Sequence, residues 1–360
     1  MKTTLLLAAL TALGSTAAFA QVDVTITGST AFRAITIDRA WASFDVAGRL
    51  AQTNDAANGL ITISGTMQAA APTLGTTPVI VRLSFSGSAA GMEAVRNQTP
   101  VNTARTASEI SGGVSNVTKI PDLALSDVFP ASATPPIPPS AFDRSVLGVV
   151  PFTFFRNNTS SNVFAGVTNI TESQANLLMV ASGFMPATFL GGSSSRSIYL
   201  IGRDSESGTR ISVEKDIGFV GSPLLWMTNA SGVYVNTNGL SSGGTLRGVV
   251  ANRGDAIGYV GLADFNAVAA NTALVPFNGV VFSHTNVLKG SYAIWGYEHV
   301  VNRVGGLSAT KAAVRDAFIS AVTNSEFQRT NTLYNVNFTA VAEMEVERGA
   351  DGATPTSLLF

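Results

Sequence analysis

Three segments of this chain repeat one pattern: a strand, a short loop of Ser, Thr and Gly residues, and then a helix. The strands are predicted at residues 22–27, 78–85 and 197–201, where apolar and β-branched residues dominate. Strands that alternate with helices predict an α/β protein with largely parallel sheets. Ser29 or Thr30 should cap the first of the three helices.

The loop after the third strand carries the strongest chemical signal in the sequence. It contains Arg203 and then Ser207, Gly208 and Thr209, which stand at the predicted start of a helix. Backbone N–H groups at a helix N-terminus lack intrahelical partners, and the helix dipole favours an anion there. Gly208 allows a close approach of the backbone, and a guanidinium offers a planar fork of donors. The pattern indicates an oxyanion site, although Ser, Thr and Gly after a strand are also ordinary capping residues.

Asp127 ends a predicted strand in a chain of which only 12% of residues are charged. On the surface it would need no explanation. Beside an anion, a carboxylate is repulsive unless the anion carries a proton that it can donate. Phosphate carries such a proton at neutral pH and sulfate does not. A site of this kind can discriminate by a factor of ~10⁴ or more, because the wrong anion leaves a buried acceptor unpaired.

The first twenty residues have the features of a cleaved export signal. Lys2 precedes an apolar segment at about 5–13, and residues 18–20, Ala-Phe-Ala, form a cleavage site of the small-x-small type. The apolar segment is too short to span a bilayer. The chain has no cysteine, so it offers neither a disulfide nor a site for a lipid anchor. These features predict a free periplasmic protein, with secretion as the alternative.

Charge and residue types exclude several classes of function. A net charge of −1 gives no reason to expect nucleic acid or an anionic membrane as a partner. The two histidines, His284 and His299, have no metal-ligand spacing between them, so neither a metal nor another cofactor is expected. Both histidines are interpreted as structural.

One segment imitates a catalytic motif. Residues 239–243 match the G-x-S-x-G pattern of serine hydrolases, with Ser241 in the position of the nucleophile. That motif requires a strand immediately before it, whereas Asn-Thr-Asn stands at 236–238. A flexible loop before a helix is the better interpretation, and a phosphate-binding P-loop is missing. The chain is therefore not expected to be an enzyme.

Taken in order, these motifs resemble the phosphate-binding proteins of bacterial ABC uptake systems, which have the type 2 periplasmic binding protein fold. The matching pieces cover most of residues 22 to 330 discontinuously, and the arginine-to-threonine motif is the most specific of them. The pieces are residues 26–32, 87–91, 124–127, 147–150, 203–209 and 256–260.

The resemblance implies an α/β, two-lobed fold with mixed, mostly parallel sheets and crossover hinge strands, of which residues 146–155 are one candidate. It implies one lobe formed by residues 21–152 and 291–360, and a second formed by residues 153–290. The ligand would lie in the cleft between the lobes, which close about a hinge. The implied ligand is inorganic phosphate, the implied partner is an inner-membrane ABC permease, and the protein is expected to be a monomer without membrane insertion.

The resemblance also assigns ligand-binding residues on loops of both lobes. The first lobe would supply hydroxyl groups, the Ala31 amide, and Asp127 as acceptor of the ligand's proton. The second would supply Arg203, oriented by Asp204 or Glu206. The full expected set is Ser29, Thr30, Ala31, Ser88, Asp127, Arg203, Ser207, Gly208 and Thr209.

Three features depart from the family's pattern. A polar insertion occupies residues 97–119, Ala89-Ala90 replaces a commoner Ser-Gly, and residues 218–244 are unusually rich in Gly and Asn. These departures leave alternatives open: another oxyanion on the same fold, a surface or structural protein without a ligand, or, less favoured, a hydrolase that uses Ser241 or a serine of the cleft.

Overall fold

The structure is a computed structural model. It describes residues 21–49, 51–55, 60–114, 117–158 and 163–358. The predicted export signal lies outside the described residues. Among the residues that are described, none of the helices combines the length and the apolar character needed to cross a membrane.

The described strands are mostly short, and one of them is much longer than the rest. Their bounds are β1 Val22–Gly28, β2 Ala51–Asp55, β3 Leu60–Gly65, β4 Val79–Ser84, β5 Val101–Thr103, β6 Val117–Lys119, β7 Leu123–Ser126, β8 Phe142–Asn157, β9 Phe184–Pro186, β10 Ser197–Ile201, β11 Leu225–Thr228, β12 Tyr234–Thr237, β13 Ala256–Gly261, β14 Thr272–Val275, β15 Trp295–Arg303, β16 Val346–Glu347 and β17 Thr356–Ser357.

Helices follow β1, β4 and β10, as the sequence predicts. The bounds of the helices are α1 Arg33–Ala42, α2 Ser88–Asn97, α3 Ala107–Ser111, α4 Glu172–Val180, α5 Gly208–Asp216, α6 Gly243–Asn252, α7 Leu262–Asn266, α8 His284–Leu288, α9 Ala309–Thr323, α10 Ser325–Thr330 and α11 Thr332–Asn337. Short 3₁₀ helices lie at Val46–Gly48, Pro72–Leu74, Pro130–Ser132, Pro139–Ala141, Ala187–Leu190 and Val341–Glu343.

One mixed sheet organises the described part of the chain. Its strand order is β2-β3-β4-β1-β7-β15-β8-β13-β10-β9, and β14 also pairs with β8. We call β2, β3, β4, β1, β7 and β15 the first sheet half, and β13, β10, β9 and β14 the second sheet half. The α/β class is therefore confirmed.

Within the described residues, two groups of strands in this sheet pair in parallel. β1 is parallel to both β4 and β7, and β10 is parallel to β13. The other pairings in this sheet are antiparallel, so the sheet is less parallel than the sequence predicts. Because parallel strands end at one edge, the loops after β1, β4 and β7 lie side by side.

Strand β8 joins the two sheet halves. Its first part, up to Pro151, pairs with β15, and its last part, from Phe152 onward, pairs with β13 and β14. Residues 147–155 are all buried, as expected for a strand that is covered on both faces. The apolar strand predicted at 146–155 is thus confirmed.

The capping prediction for the first helix is wrong. Helix α1 begins at Arg33 after Phe32, and no side chain caps it. The chain makes an additional turn at residues 29–32 before the helix starts, so Ser29 and Thr30 stand too early in the chain to cap it. The hydroxyl of Ser29 instead bonds to Glu298 of β15.

Candidate functional site

The carboxylate of Asp127 is the point at which loops from both sheet halves meet. It is 1% exposed and follows the end of β7. The hydroxyl of Ser88, the first residue of α2, donates to Asp127 Oδ1 at 2.5 Å. The hydroxyl of Thr209, in the first turn of α5, donates to Asp127 Oδ2 at 3.4 Å. The structure therefore brings these three predicted residues together, although the 97–119 insertion separates two of them in sequence.

Gly208 packs directly against this carboxylate. A Cβ at position 208 would overlap Asp127 Oδ1 and would lie 2.6 Å from Ser88 Oγ. Any side chain here would displace the acid or its hydroxyl partner. The close approach that the sequence predicts for Gly208 is present, and in this structure the group approached is Asp127.

Arg203 is buried and held by backbone oxygen atoms. Its Nε donates to the Leu240 carbonyl at 2.9 Å, and its Nη2 donates to the Ser241 carbonyl at 3.0 Å. Arg203 is only 2% exposed, so these bonds are made away from solvent.

Neither of the acids expected to orient Arg203 does so by a hydrogen bond within the described residues. Asp204 acts on the guanidinium through its charge. Glu206 accepts a bond from the Ser205 hydroxyl and uses its backbone carbonyl to accept from Ala89 N at 3.1 Å. The hydrogen bonds that hold the arginine thus come from backbone carbonyls of the segment that imitates a serine hydrolase.

Ser207 is the N-cap of α5. Its hydroxyl accepts a bond from Arg210 N at 3.3 Å, and the side chain is buried. The ordinary capping interpretation of this residue is therefore correct. Its hydroxyl proton remains available for a second partner.

The first loop lies next to the second sheet half. The Cβ of Ala31 is 3.5 Å from the position that a Cβ would take at Gly261, the last residue of β13. Thr30 is half-buried beside it. The hydroxyl of Ser29 donates to Glu298 Oε2 at 3.2 Å, so this predicted ligand residue rests on an acid that the sequence analysis missed.

The loops after β4 and β10 are in direct contact. The amide of Ala89 donates to the Glu206 carbonyl, and a Cβ at Gly87 would lie 2.7 Å from the same oxygen. Gly87 has a φ of +101°, which L side chains rarely adopt. The two sheet halves therefore touch at the site.

Burial sets the electrostatics of Asp127 and Arg203. Burial raises the pKa of the Asp127 carboxyl, while the Ser88 hydrogen bond and the charge of Arg203 lower it. Burial lowers the pKa of the Arg203 guanidinium, and the charges of Asp204, Asp127 and Asp264 raise it. An acid in this setting is suited to exchange a proton with a neighbouring group.

Glu298 is a second buried acid beside Asp127. It is fully buried in β15, and its Oε1 has no hydrogen-bond partner among the described residues. Burial raises the pKa of Glu298 well above its ordinary value, and the charge of Asp127 raises it further. A lone glutamate in the apolar strand Trp295–Arg303 is the signal that could have revealed it, since a buried charge is costly unless it is paired.

The remaining candidates have structural contacts. His299 is buried, which lowers its pKa to about 3, and its Nδ1 lies 3.3 Å from the Ser126 carbonyl. His284 contacts the Thr339 hydroxyl. Ser242 caps α6 by accepting from Thr245 N, which agrees with a loop before a helix. Within the described ranges no group of three or more His, Cys, Asp or Glu residues is arranged to hold a metal ion.

Comparison with known proteins gives a match at the level of structure only. No family model matches the chain, and no curated protein matches it by sequence. A putative phosphate ABC transporter substrate-binding protein from Clostridium perfringens, solved with bound phosphate, aligns with a TM-score of 0.54. The alignment covers 89% of this chain and 99% of that one at 16% identity.

A second solved structure agrees with the first. An ABC-type phosphate transport receptor from Vibrio cholerae aligns with a TM-score of 0.52 and 15% identity, over 88% of this chain and 99% of that one. This chain has the fold of these substrate-binding proteins. The predicted type 2 periplasmic binding protein fold is thereby confirmed. At these identities the likeness concerns the fold, so the ligand must be argued from the residues of this chain.

Proposed function

We propose that this chain is a non-enzymatic substrate-binding protein that captures inorganic phosphate and delivers it to an inner-membrane ABC permease. The observation that supports this function best is the buried carboxylate of Asp127, contacted by Ser88 and Thr209 from different sheet halves. Two proteins of the same fold are named for phosphate transport, and one was solved with phosphate bound.

Within this proposal each predicted residue has a distinct task. Arg203, fixed by two carbonyl groups, supplies positive charge in a setting from which water is excluded. The amides at the start of α5 and the Ser207 hydroxyl replace water around the anion. The hydroxyls of Ser29, Ser88 and Thr209 would turn to the anion from the acids to which they now donate. Asp127 accepts a proton from the ligand, which selects phosphate over sulfate. Thr30 and the Ala31 amide bind from the first loop.

The proposal includes the lobes and the compartment. We take residues 21–152 and 291–360 as one lobe and residues 153–290 as the other, since β8 passes between the sheet halves at residues 151–152. Export through a cleaved signal would place the mature protein in the periplasm. Amino-terminal sequencing of the exported protein should then begin at Gln21; an intact Met1 would contradict export by cleavage.

A thermal-shift panel of phosphate, arsenate, sulfate and molybdate tests the proposed ligand. A ligand that binds only the folded protein stabilises it by about 2.7 kcal/mol when its concentration is 100 times its dissociation constant. Phosphate and arsenate should raise the melting temperature, and sulfate should not. If none of the four anions raises the melting temperature, the proposed phosphate-binding function is wrong.

A further inference from the structure

Arg33 stands at the junction of the first loop and helix α1, and its side chain is half-buried. The guanidinium carbon lies 5.0 Å from the centre of the Phe85 ring, which follows β4. The side chain therefore extends from the first loop across the neighbouring loop, at the edge of the sheet where Asp127 lies. The resemblance to phosphate-binding proteins gives this residue no role.

The Nε of Arg33 is buried and has no hydrogen-bond partner among the described residues. The ion pairs of the described part of the chain do not include Arg33 either. A buried donor without a partner loses its hydration and gains nothing in return. A ligand oxygen placed to accept a hydrogen bond from Arg33 Nε would replace the lost hydration.

The groups that act on Arg33 electrostatically come from the second sheet half and its helices. Burial lowers the pKa of the Arg33 guanidinium, the charge of Asp264 raises it, and the charges of Arg203 and Arg247 lower it. Asp264 is already bonded to Arg247, whose Nη1 lies 2.9 Å from Asp264 Oδ1. The charges of Arg203 and Arg247 thus act on Arg33 from the second sheet half, and the carboxylate that acts on Arg33, Asp264, is shared with Arg247. An anion near these guanidiniums would stabilise them.

We propose that Arg33 is a second guanidinium ligand of the anion, reaching it from the first sheet half while Arg203 reaches it from the second. This inference rests on the proposed function and narrows the ligand to a doubly charged oxyanion. Asp127 requires a proton on the ligand, and paired arginines favour two negative charges. Monohydrogen phosphate satisfies both requirements. Sulfate lacks the proton, and dihydrogen phosphate lacks the second charge.

The test is calorimetric titration of inorganic phosphate into the wild-type protein and Arg33→Gln at about pH 6 and about pH 8, on either side of the second ionisation of phosphate. Arg33→Gln should weaken binding by about 10- to 100-fold at the higher pH, the loss expected for a charge-assisted hydrogen bond. The loss should be smaller at the lower pH. Both proteins keep Asp127 and Asp264, so the titration of those acids affects both.

Two further variants keep the result interpretable. Arg33→Lys retains the charge without the planar fork, so its affinity for phosphate should fall by about 3- to 10-fold. This variant replaces Arg33→Gln in the test if the glutamine variant does not fold. Arg96→Gln removes an exposed arginine of α2 and should bind like the wild type. Equal phosphate affinity of Arg33→Gln, Arg33→Lys and wild type at both pH values would overturn the role of Arg33 and leave the proposed function intact. Absence of binding by the wild type would instead overturn the proposed function.

Discussion

The two sheet halves hold their functional groups in different ways. In the second half, Arg203 is fixed by two backbone carbonyls and Ser207 by the backbone amide of Arg210. In the first half, the hydroxyl of Ser88 donates a hydrogen bond to Asp127, and that of Ser29 donates one to Glu298. In the second half, Arg203 and Ser207 are thus fixed by groups that cannot titrate, although Thr209 bonds to Asp127. The first half is fixed by two buried acids whose pKa values are raised by burial.

This difference assigns separate tasks to the halves. The second half supplies charge in a fixed geometry, so it should contribute most of the affinity at any pH near neutrality. The first half should decide which anion is accepted, since its hydrogen bonds depend on where protons lie. Variants in each half test whether affinity and anion selectivity are divided in this way.

The largest effect is expected for Arg203→Ala, which removes the main charge of the second half. Loss of two charge-assisted hydrogen bonds should weaken phosphate binding by about 10²- to 10⁴-fold in calorimetry. Arg96→Ala, at an exposed position, is the matched control. Unchanged phosphate affinity in Arg203→Ala would remove the second half from binding.

Asp127→Asn tests the first half as the selective one. A carboxylate offers a sulfate oxygen only hydrogen-bond acceptors, whereas the side-chain amide of Asn can also donate a hydrogen bond to it. The preference for phosphate over sulfate should fall by at least about 10²-fold, measured by titrating both anions into each protein. An unaltered ratio would mean that selectivity arises elsewhere.

Gly208→Ala tests the contact between the halves, because its new methyl group would overlap Asp127. The free energy of unfolding, measured with urea, should fall by about 1–3 kcal/mol, and phosphate binding should weaken. Gly248→Ala is the control, since a Cβ in this part of α6 meets nothing within 4 Å. Replacing glycine by alanine inside a helix should raise the free energy of unfolding by about 0.5–1 kcal/mol. Equal stability of the two variants would contradict the packing described here.

The smallest effect is expected for Glu298→Gln. Because burial raises the pKa of Glu298, the folded protein holds this proton more tightly than the unfolded chain does. The resulting stability is present below the ordinary pKa of 4.5 and is lost as the pH rises toward the raised value. Glutamine cannot titrate, so the free energy of unfolding of the variant, measured with urea, should rise relative to that of the wild type as the pH is raised above 4.5. A difference that stays constant with pH would show that Glu298 does not titrate in this range.

Local pattern was sufficient to predict the strands and loops that build the site. The alternation in β1, the apolar runs in β4 and β10, and the hydroxyl-glycine loops after them each depend on neighbours in sequence. The joint prediction of Ser88, Asp127, Gly208 and Thr209 depended on the family's motif order, and the structure brings all four into contact.

What the sequence did not reveal depends on contacts between distant backbone groups. The carbonyls of Leu240 and Ser241 hold Arg203. Because every residue has a backbone carbonyl, the residue types do not indicate which carbonyls will accept these bonds. Glu298 lies 269 positions from Ser29, so only the folded sheet brings them together. Asp204 acts on Arg203 through its charge, and the orienting role of Asp204 or Glu206 stays a prediction.

The most direct test of this binding site is a crystal structure of the mature protein grown with inorganic phosphate. One phosphate should lie between the sheet halves, with an oxygen within hydrogen-bond distance of the Asp127 carboxylate and others bonded to Arg203 and to the amides at the start of α5. Phosphate bound elsewhere, with Ser88 and Thr209 still bonded to Asp127 and no anion near Arg203, would contradict it.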